Sequence, residues 1–310
     1  MRVLAAVDIG TNSVKLLAAK VRPHGTLRIV RHEVHITRIG EGIARTGRLA
    51  PRAMRRTLRR LLAYARTARA LGAERVRAVA TYALRAAPNG RAFIAELRRK
   101  TGWDVEIVSG RREAELGVRG ATLGLSLPGP AVFLDVGGGS AQVTVEGSGA
   151  RPWWRSFPLG AVRLTERFVT ANPVPESDLE RLRRHVRRTL DPVARHAGLR
   201  GLPVVGIGGT VACLGMVRRG TRRVQDLQGR SLSFAGIAEL VRAFARRSVE
   251  ERMAMPGMDP GRADVIAAGA AVVAEVLAAL RAPGLRISTF GIRFGLLAEM
   301  AREPRKARKG

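Results

Sequence analysis

The sequence predicts an α/β protein made of two similar halves that face each other across a cleft. Two observations lead there. VDIGTNSVKLL near the start and FLDVGGGSAQVTV in the middle are one device used twice: an apolar run ending in Asp-x-Gly, a turn of small and hydroxyl residues, and a second apolar run. Their aspartates, Asp8 and Asp135, lie 127 positions apart. The strand-like pattern also restarts after LSLPGPAV, whose Pro128-Gly129-Pro130 breaks the chain, so residues 1–125 and 126–310 are read as the two domains and this segment as a hinge.

The elements follow in order. VLAAVDIG, VKLLAAKV and LRIVRHEVHI read as three opening strands, with Pro23-His24-Gly25 turning the second into the third. PRAMRRTLRRLLAYARTARALG reads as a helix opened by Pro51 and closed by Gly72. Its apolar stripe is Met54, Leu58, Leu61, Leu62, Ala65 and Leu71, with the arginines facing outward. VRAVAT and DVEIVS are further strands, followed by helices near 91–100 and 111–124. The second half opens with the strands FLDVG and AQVTVEG, then a loop carrying Trp153-Trp154, then helices. LPVVGIG leads into Gly208-Gly209-Thr210, and RISTFGIRFGLLAEM supplies the last strand and helix. That helix is expected to pack back on the first domain, with 301–310 as a basic tail.

Composition narrows the function classes. A chain of 310 residues, 46% hydrophobic, can bury two cores and is not a disordered polymer. The stretch from Val265 to Leu280 is short and interrupted by Glu275, which predicts a buried helix rather than a membrane span. No leader is expected, because Met-Arg runs straight into a strand. The single Cys213 allows no internal disulfide and suits a reducing cytoplasm. Net charge is +30, and five of the 55 basic residues are lysines, leaving 50 arginines. Genomic arginine bias accounts for part of this excess; the rest would draw a polyanion by its summed field. Nucleic acid is not the expected partner, because aromatics are only 4% and no recognition motif is present. His32 and His35 point to opposite faces of a strand, so no zinc site is expected. Cys213, Trp153 and Trp154 are read as packing residues.

The repeated turns carry the chemistry. Their glycines let backbone N–H groups approach phosphate oxygens, and the hydroxyl residues add donors. Each aspartate ends a strand at the cleft, where it can hold a divalent cation directly or through water. GIGGT supplies a third donor-rich turn. Cleaving a phosphoanhydride also needs cations over the phosphate oxygens and a carboxylate to take a proton from water. Glu113 opens a helix, and Glu115, two positions on, points to the other side, so only one of them can face the cleft.

Together with AVATYALRAAPNG, VEIVSGRREAELG, FPLGAVRLTERF and TFGIRFGLL, in this order over nearly the whole chain, these stretches resemble the exopolyphosphatase / guanosine pentaphosphate phosphohydrolase family. The resemblance implies two duplicated actin-like (ribonuclease H-like) domains, with mixed sheets flanked by helices and the active site in the interdomain cleft. It implies that Glu113 positions or deprotonates the attacking water and that Arg85 grips the terminal phosphate. Asp135 would be the principal magnesium ligand, with Asp8 second and manganese as the alternative metal. Gly10, Thr11, Asn12 and Ser13 would form one phosphate loop, Gly137, Gly138, Gly139 and Ser140 another, and Gly208, Gly209 and Thr210 a third. Lys15 stands where the family often has a basic residue. Arg262 and Arg293 are weaker candidates for lining the cleft. The expected partners are inorganic polyphosphate, guanosine pentaphosphate or another nucleotide, with no membrane; a homodimer is left open.

One position departs from the pattern. Gln142 stands where the family commonly has a glutamate, and its neutral amide would lose a charge that could hold magnesium or tune the water. Slower hydrolysis is expected, or a polyanion-binding protein that has lost turnover. The longer members' C-terminal helical domains have no counterpart before residue 310, which would favour shorter chains or nucleotides. An ATP-dependent kinase or ATPase is a further reading on the same fold.

Overall fold

The computed structural model describes residues 2–22, 26–147, 149 and 151–303; the turn at 23–25 and the tail beyond Glu303 lie outside them. β1 (Arg2–Ile9), β2 (Ser13–Val21) and β3 (Leu27–Ile36) form an antiparallel meander. β4 (Ala73–Ala80) and β5 (Asp104–Ile107) add in parallel, giving the order β3-β2-β1-β4-β5. The second sheet repeats this. β6 (Ala131–Val136), β7 (Ala141–Glu146) and β8 (Trp153–Phe157) make the meander, β9 (Val204–Ile207) and β11 (Gly284–Ile287) add in parallel, and β10 (Ser231–Ser233) closes the edge. Even the register repeats: Asp8 pairs with Lys15 across the first hairpin, and Asp135 with Gln142 across the second. The result is the duplicated actin-like arrangement of mixed sheets flanked by helices.

β1 and β2 are apolar on both faces because both are covered. On one side of the first sheet lie α2 (Pro51–Ala70), α3 (Tyr82–Ala86) and α4 (Gly90–Thr101), packed with Val7, Leu16 and Phe93. On the other lie α5 (Gly110–Gly124) and the C-terminal α13 (Ile292–Arg302), where Phe294, Leu297 and Met300 meet Leu4, Ala6 and Leu17. α12 (Ile266–Leu280) forms the core of the second half, with Val272, Val273 and Leu277 fully buried. Its one acid, Glu275, is buried and paired with Arg183 and Arg187 of α7 (Glu176–Thr189) at 2.5 and 3.0 Å. Among the described residues, no helix is long and apolar enough to cross a membrane.

Two local expectations are corrected. The buried face of α2 is Ala53, Thr57, Leu61, Tyr64 and Ala68, a rotation away from the expected stripe. Small residues bring the helix close to the sheet, and the larger Met54 and Leu58 pack half-buried at its flank. Trp153 and Trp154 belong to β8, not to a loop; Trp153 meets the His196 ring edge-on.

The halves also touch across the cleft. Arg38 holds Asp264 through both guanidinium nitrogens, at 2.7 and 3.0 Å. Glu166 of α6 (Ala161–Phe168) accepts from the backbone N–H groups of Gly42 and Ala44. Arg163 donates to the Tyr82 hydroxyl.

Candidate active site

Each hairpin turn closes with the same bond. Gly10 N donates to Ser13 O at 3.0 Å, and Gly137 N donates to Ser140 O at 2.9 Å. The second turn is backed by α6, whose Ala161 N and Arg163 N donate to Gly137 O and Gly138 O. The two turns approach closely: a Cβ on Gly138 would lie 3.0 Å from the Thr11 side chain and 3.2 Å from Asn12 N. The third turn begins α9 (Gly208–Arg219), so its free N–H groups and the positive end of the helix dipole face the same space. Thr210 Oγ1 anchors it to Val136 O at 2.7 Å.

These turns wall one cavity between the halves, lined also by Asp8, Lys15, Glu113, Asp135, Arg262 and Arg293. Ser109 caps α5 by accepting from Arg112 N, which places Glu113 in the first turn with its carboxylate inward. Glu115 is exposed and pairs with Arg111 one helical turn earlier, so it faces away from the cavity. Lys15 Nζ lies 2.5 Å from Asp8 Oδ2, while Asp8 Oδ1 is buried with no protein partner. Both polar side-chain atoms of Asn12 are also buried and unpartnered. Buried polar atoms without partners are costly, so such a cluster at a phosphate-type loop marks where a polar ligand belongs.

Burial sets the electrostatics. It pushes the Glu113 carboxyl up to about 7, against the pull of Arg85 and with the help of Asp135 and Asp8. Asp135 keeps a face open to the cavity, yet its depth raises it to about 6, opposed by Lys15 and Arg262. Burial, Arg293 and Lys15 together lower His32 to about 4, so its ring is neutral at ordinary pH. His32 Nε2 therefore accepts from Arg293 Nη2 at 2.9 Å.

Among the described residues no group of three or more acids, histidines or cysteines is placed to hold a metal ion by itself. The donor set nonetheless suits a hard cation of the magnesium type. Asp8, Glu113, Asp135 and Asp259 line one cavity, Asp8 Oδ1 is orphaned, and phosphate oxygens and water would complete the shell.

Not every expected residue stands where the sequence put it. Arg85 does not line the cavity; its Nη1 donates to Val108 O at 2.6 Å and lies 3.3 Å from Glu113 Oε2. Gln142 lies behind the second loop, buried, donating to Ser140 Oγ at 2.9 Å and Ser156 Oγ at 3.4 Å. It orders the loop from below and does not line the cavity. Arg262 and Arg293 both line it. Arg262 is held by Asp259 at 3.3 Å, while Arg293 donates to Leu16 O. The next residue, Ala263, is fixed by the fully buried Arg252, which donates to Ala263 O and Phe244 O. His32, Tyr82, Asp259, Ser288 and Thr289 line the cavity without having been expected there.

Gly208 is tied to this geometry twice. Its φ is +83°, and a Cβ there would collide with Asp135 Oδ1. Gly208→Ala is expected to strain the backbone and displace the carboxylate, lowering kcat about 10²-fold, the usual cost of an ångström of misplacement. Turnover within twofold of the parent would show that the loop has slack.

A cavity walled by two copies of one lobe, each offering a phosphate-type loop, defines a two-lobed phosphate-handling protein. The chain belongs to the Ppx/GppA phosphatase family, matching its pattern over residues 17–303. It is similar to Exopolyphosphatase 2 of Mycobacterium tuberculosis, 37% identical over 291 residues that cover 90% of this chain and 91% of that protein. Among solved structures, the Aquifex aeolicus Ppx/GppA family member superposes with a TM-score of 0.80 at 27% identity, covering 98% of this chain and 99% of that one. An exopolyphosphatase-like protein gives 0.90 at 27% identity, covering 97% and 98%.

Proposed function

We propose that the chain is a magnesium-dependent exopolyphosphatase that releases the terminal phosphate of inorganic polyphosphate. The observation that carries this is the convergence of three phosphate-type loops and the Glu113 carboxylate on one cavity. Family membership and the likeness to an exopolyphosphatase at 37% identity support the reaction class. The net charge of +30 favours a substrate with a charge on every unit.

In this reading the loops around Gly10, Gly137 and Gly208 hold the terminal phosphates through backbone N–H groups. Lys15, Arg262 and Arg293 offset their charge. Arg85 donates to Glu113 and Val108 O through Nη1, so it fixes the catalytic carboxylate from behind the cavity wall. Glu113, with its carboxyl near 7, orients the water and takes its proton as the phosphoanhydride bond breaks. Asp135 and Asp8 Oδ1 would hold magnesium, which supplies charge neutralisation over the phosphate oxygens. Gln142 props the loop rather than facing the metal, so its neutral amide leaves this machinery intact.

Guanosine pentaphosphate is a second substrate on this reading, favoured by one feature. Ala212, Met216, Val224 and Ile292 give the cavity an apolar wall beside the phosphate loops, suited to a base. The test is phosphate release from long-chain polyphosphate, guanosine pentaphosphate and ATP at one salt concentration. Release from either of the first two, stopped by EDTA and restored by magnesium, is the expected result. Release from ATP alone would replace the reading with an ATPase.

A further inference from the structure

α2 carries seven arginines (52, 55, 56, 59, 60, 66 and 69) and no acidic residue in 20 positions. The arginine-rich composition does not explain this. The other arginine-rich helices mix in acids: α7 has Glu176, Asp178 and Glu180, and α4 has Glu96. α9 also lacks an acid, but it carries only Arg218 and Arg219, in its last turn. In α2 the spacing of 3, 4, 7 and 3 puts Arg52, Arg55, Arg59, Arg66 and Arg69 on one exposed face, opposite Ala53, Leu61 and Tyr64. Glu41 neutralises Arg52 and Arg56; Arg55, Arg59, Arg66 and Arg69 have no acidic partner among the described residues. Three arginines also sit in the first two turns, at the positive end of the helix dipole, where cations cost stability.

The start of the helix that carries this face lies beside the site, held there by Arg56. Arg56 donates to Thr37 O at 2.6 Å and to Arg38 O at 3.3 Å. Thr37 N and Arg38 N donate to Asn12 O, and Gly40 N donates to Thr11 O, so this segment is the back of the first phosphate loop. From there α2 runs to Ala70, and the chain turns through Leu71 and Gly72 into β4 at Ala73, opposite Val3, at the end of the sheet away from Asp8. The arginine face thus leads from the rim of the cleft down the outside of the first lobe. From Arg52 to Arg69 it spans about 26 Å at the α-helical rise.

We infer that the arginine face of α2 is a track for the outlying part of a long polyphosphate chain whose terminal phosphate is in the cleft. The inference rests on the polyphosphatase reading above. A flexible chain with a charge on each unit can follow such a row by counterion release, without a shaped pocket. A substrate too short to leave the cleft does not reach it.

The test is the quadruple variant R55Q/R59Q/R66Q/R69Q, whose side chains are exposed and bear no ion pair. Its control is R184Q/R188Q/R242Q/R246Q, which removes the same charge from exposed positions of the second lobe. KM and kcat are measured with tripolyphosphate and with long-chain polyphosphate over a salt series. The track predicts that the α2 variant alone raises the long-chain KM about tenfold and flattens its salt dependence, leaving kcat and the tripolyphosphate KM unchanged. An equal effect with both substrates, an equal effect in the control, or no effect overturns it. So does loss of single-stranded RNA binding with long-chain KM unchanged, which would assign the face to nucleic acid. If the unaltered protein releases no phosphate from polyphosphate, the functional reading fails first. Long-chain affinity, measured by fluorescence anisotropy in EDTA, then still decides whether α2 binds it.

Discussion

Replacing Glu113 by glutamine is expected to cut phosphate release by about 10³-fold, the range for losing a general base, while polyphosphate affinity stays within about threefold. The same change is expected to stabilise the fold at high pH. The folded carboxyl titrates near 7, above its ordinary 4.5, because burial disfavours the charged form. Below pH 4.5 the group is protonated in both states and nothing is lost. As pH rises from about 4.5 to about 7 the unfolded chain ionises first, and the fold is progressively penalised. At pH 8 that penalty is about 3 kcal/mol for the metal-free protein, and the amide removes it. Melting without metal should therefore show the variant several degrees more stable at pH 8 and level with the parent at pH 4.5. A variant that turns over normally, or that melts lower at pH 8, would remove Glu113 from this role.

Asp135→Asn is the second large effect. It takes away the carboxylate that faces the third loop, and kcat is expected to fall at least about 10²-fold with a sharply higher magnesium requirement. Metal binding itself gives an independent reading. A protonated carboxyl does not ligate, and Asp135 titrates near 6 in the metal-free protein. Affinity for manganese, followed by its magnetic resonance signal, should weaken by up to about tenfold per unit as pH falls below 6. Asp135→Asn should bind weakly at every pH and lose that step. An unchanged metal titration in the variant would exclude Asp135 as a ligand.

Much of this architecture is legible in the sequence because the duplication is local. Asp8 and Asp135, Gly10 and Gly137, and Ser13 and Ser140 keep one offset, and the matched turns form the same hydrogen bond. What escaped reading depends on long-range packing. Arg85 is set by Val108 O and Glu113, two partners that no spacing reveals. His32 reaches the cavity through Arg293, which comes 261 residues later. Gln142 shares a strand face with Asp135 but is drawn to Ser140 and Ser156, and the hydroxyl on β8 was invisible while that strand read as a loop. The buried face of α2 misled because alanine and threonine, not leucine, face the sheet where the backbones come closest.

The most direct measurement follows long-chain polyphosphate with magnesium, recording both free orthophosphate and the length of the remaining chains, for the parent and Glu113→Gln. Terminal attack at a single cleft predicts orthophosphate as the sole small product, chains that shorten from the end, and a variant that binds polyphosphate without releasing phosphate. Mid-chain fragments, or release that persists in Glu113→Gln, would contradict it.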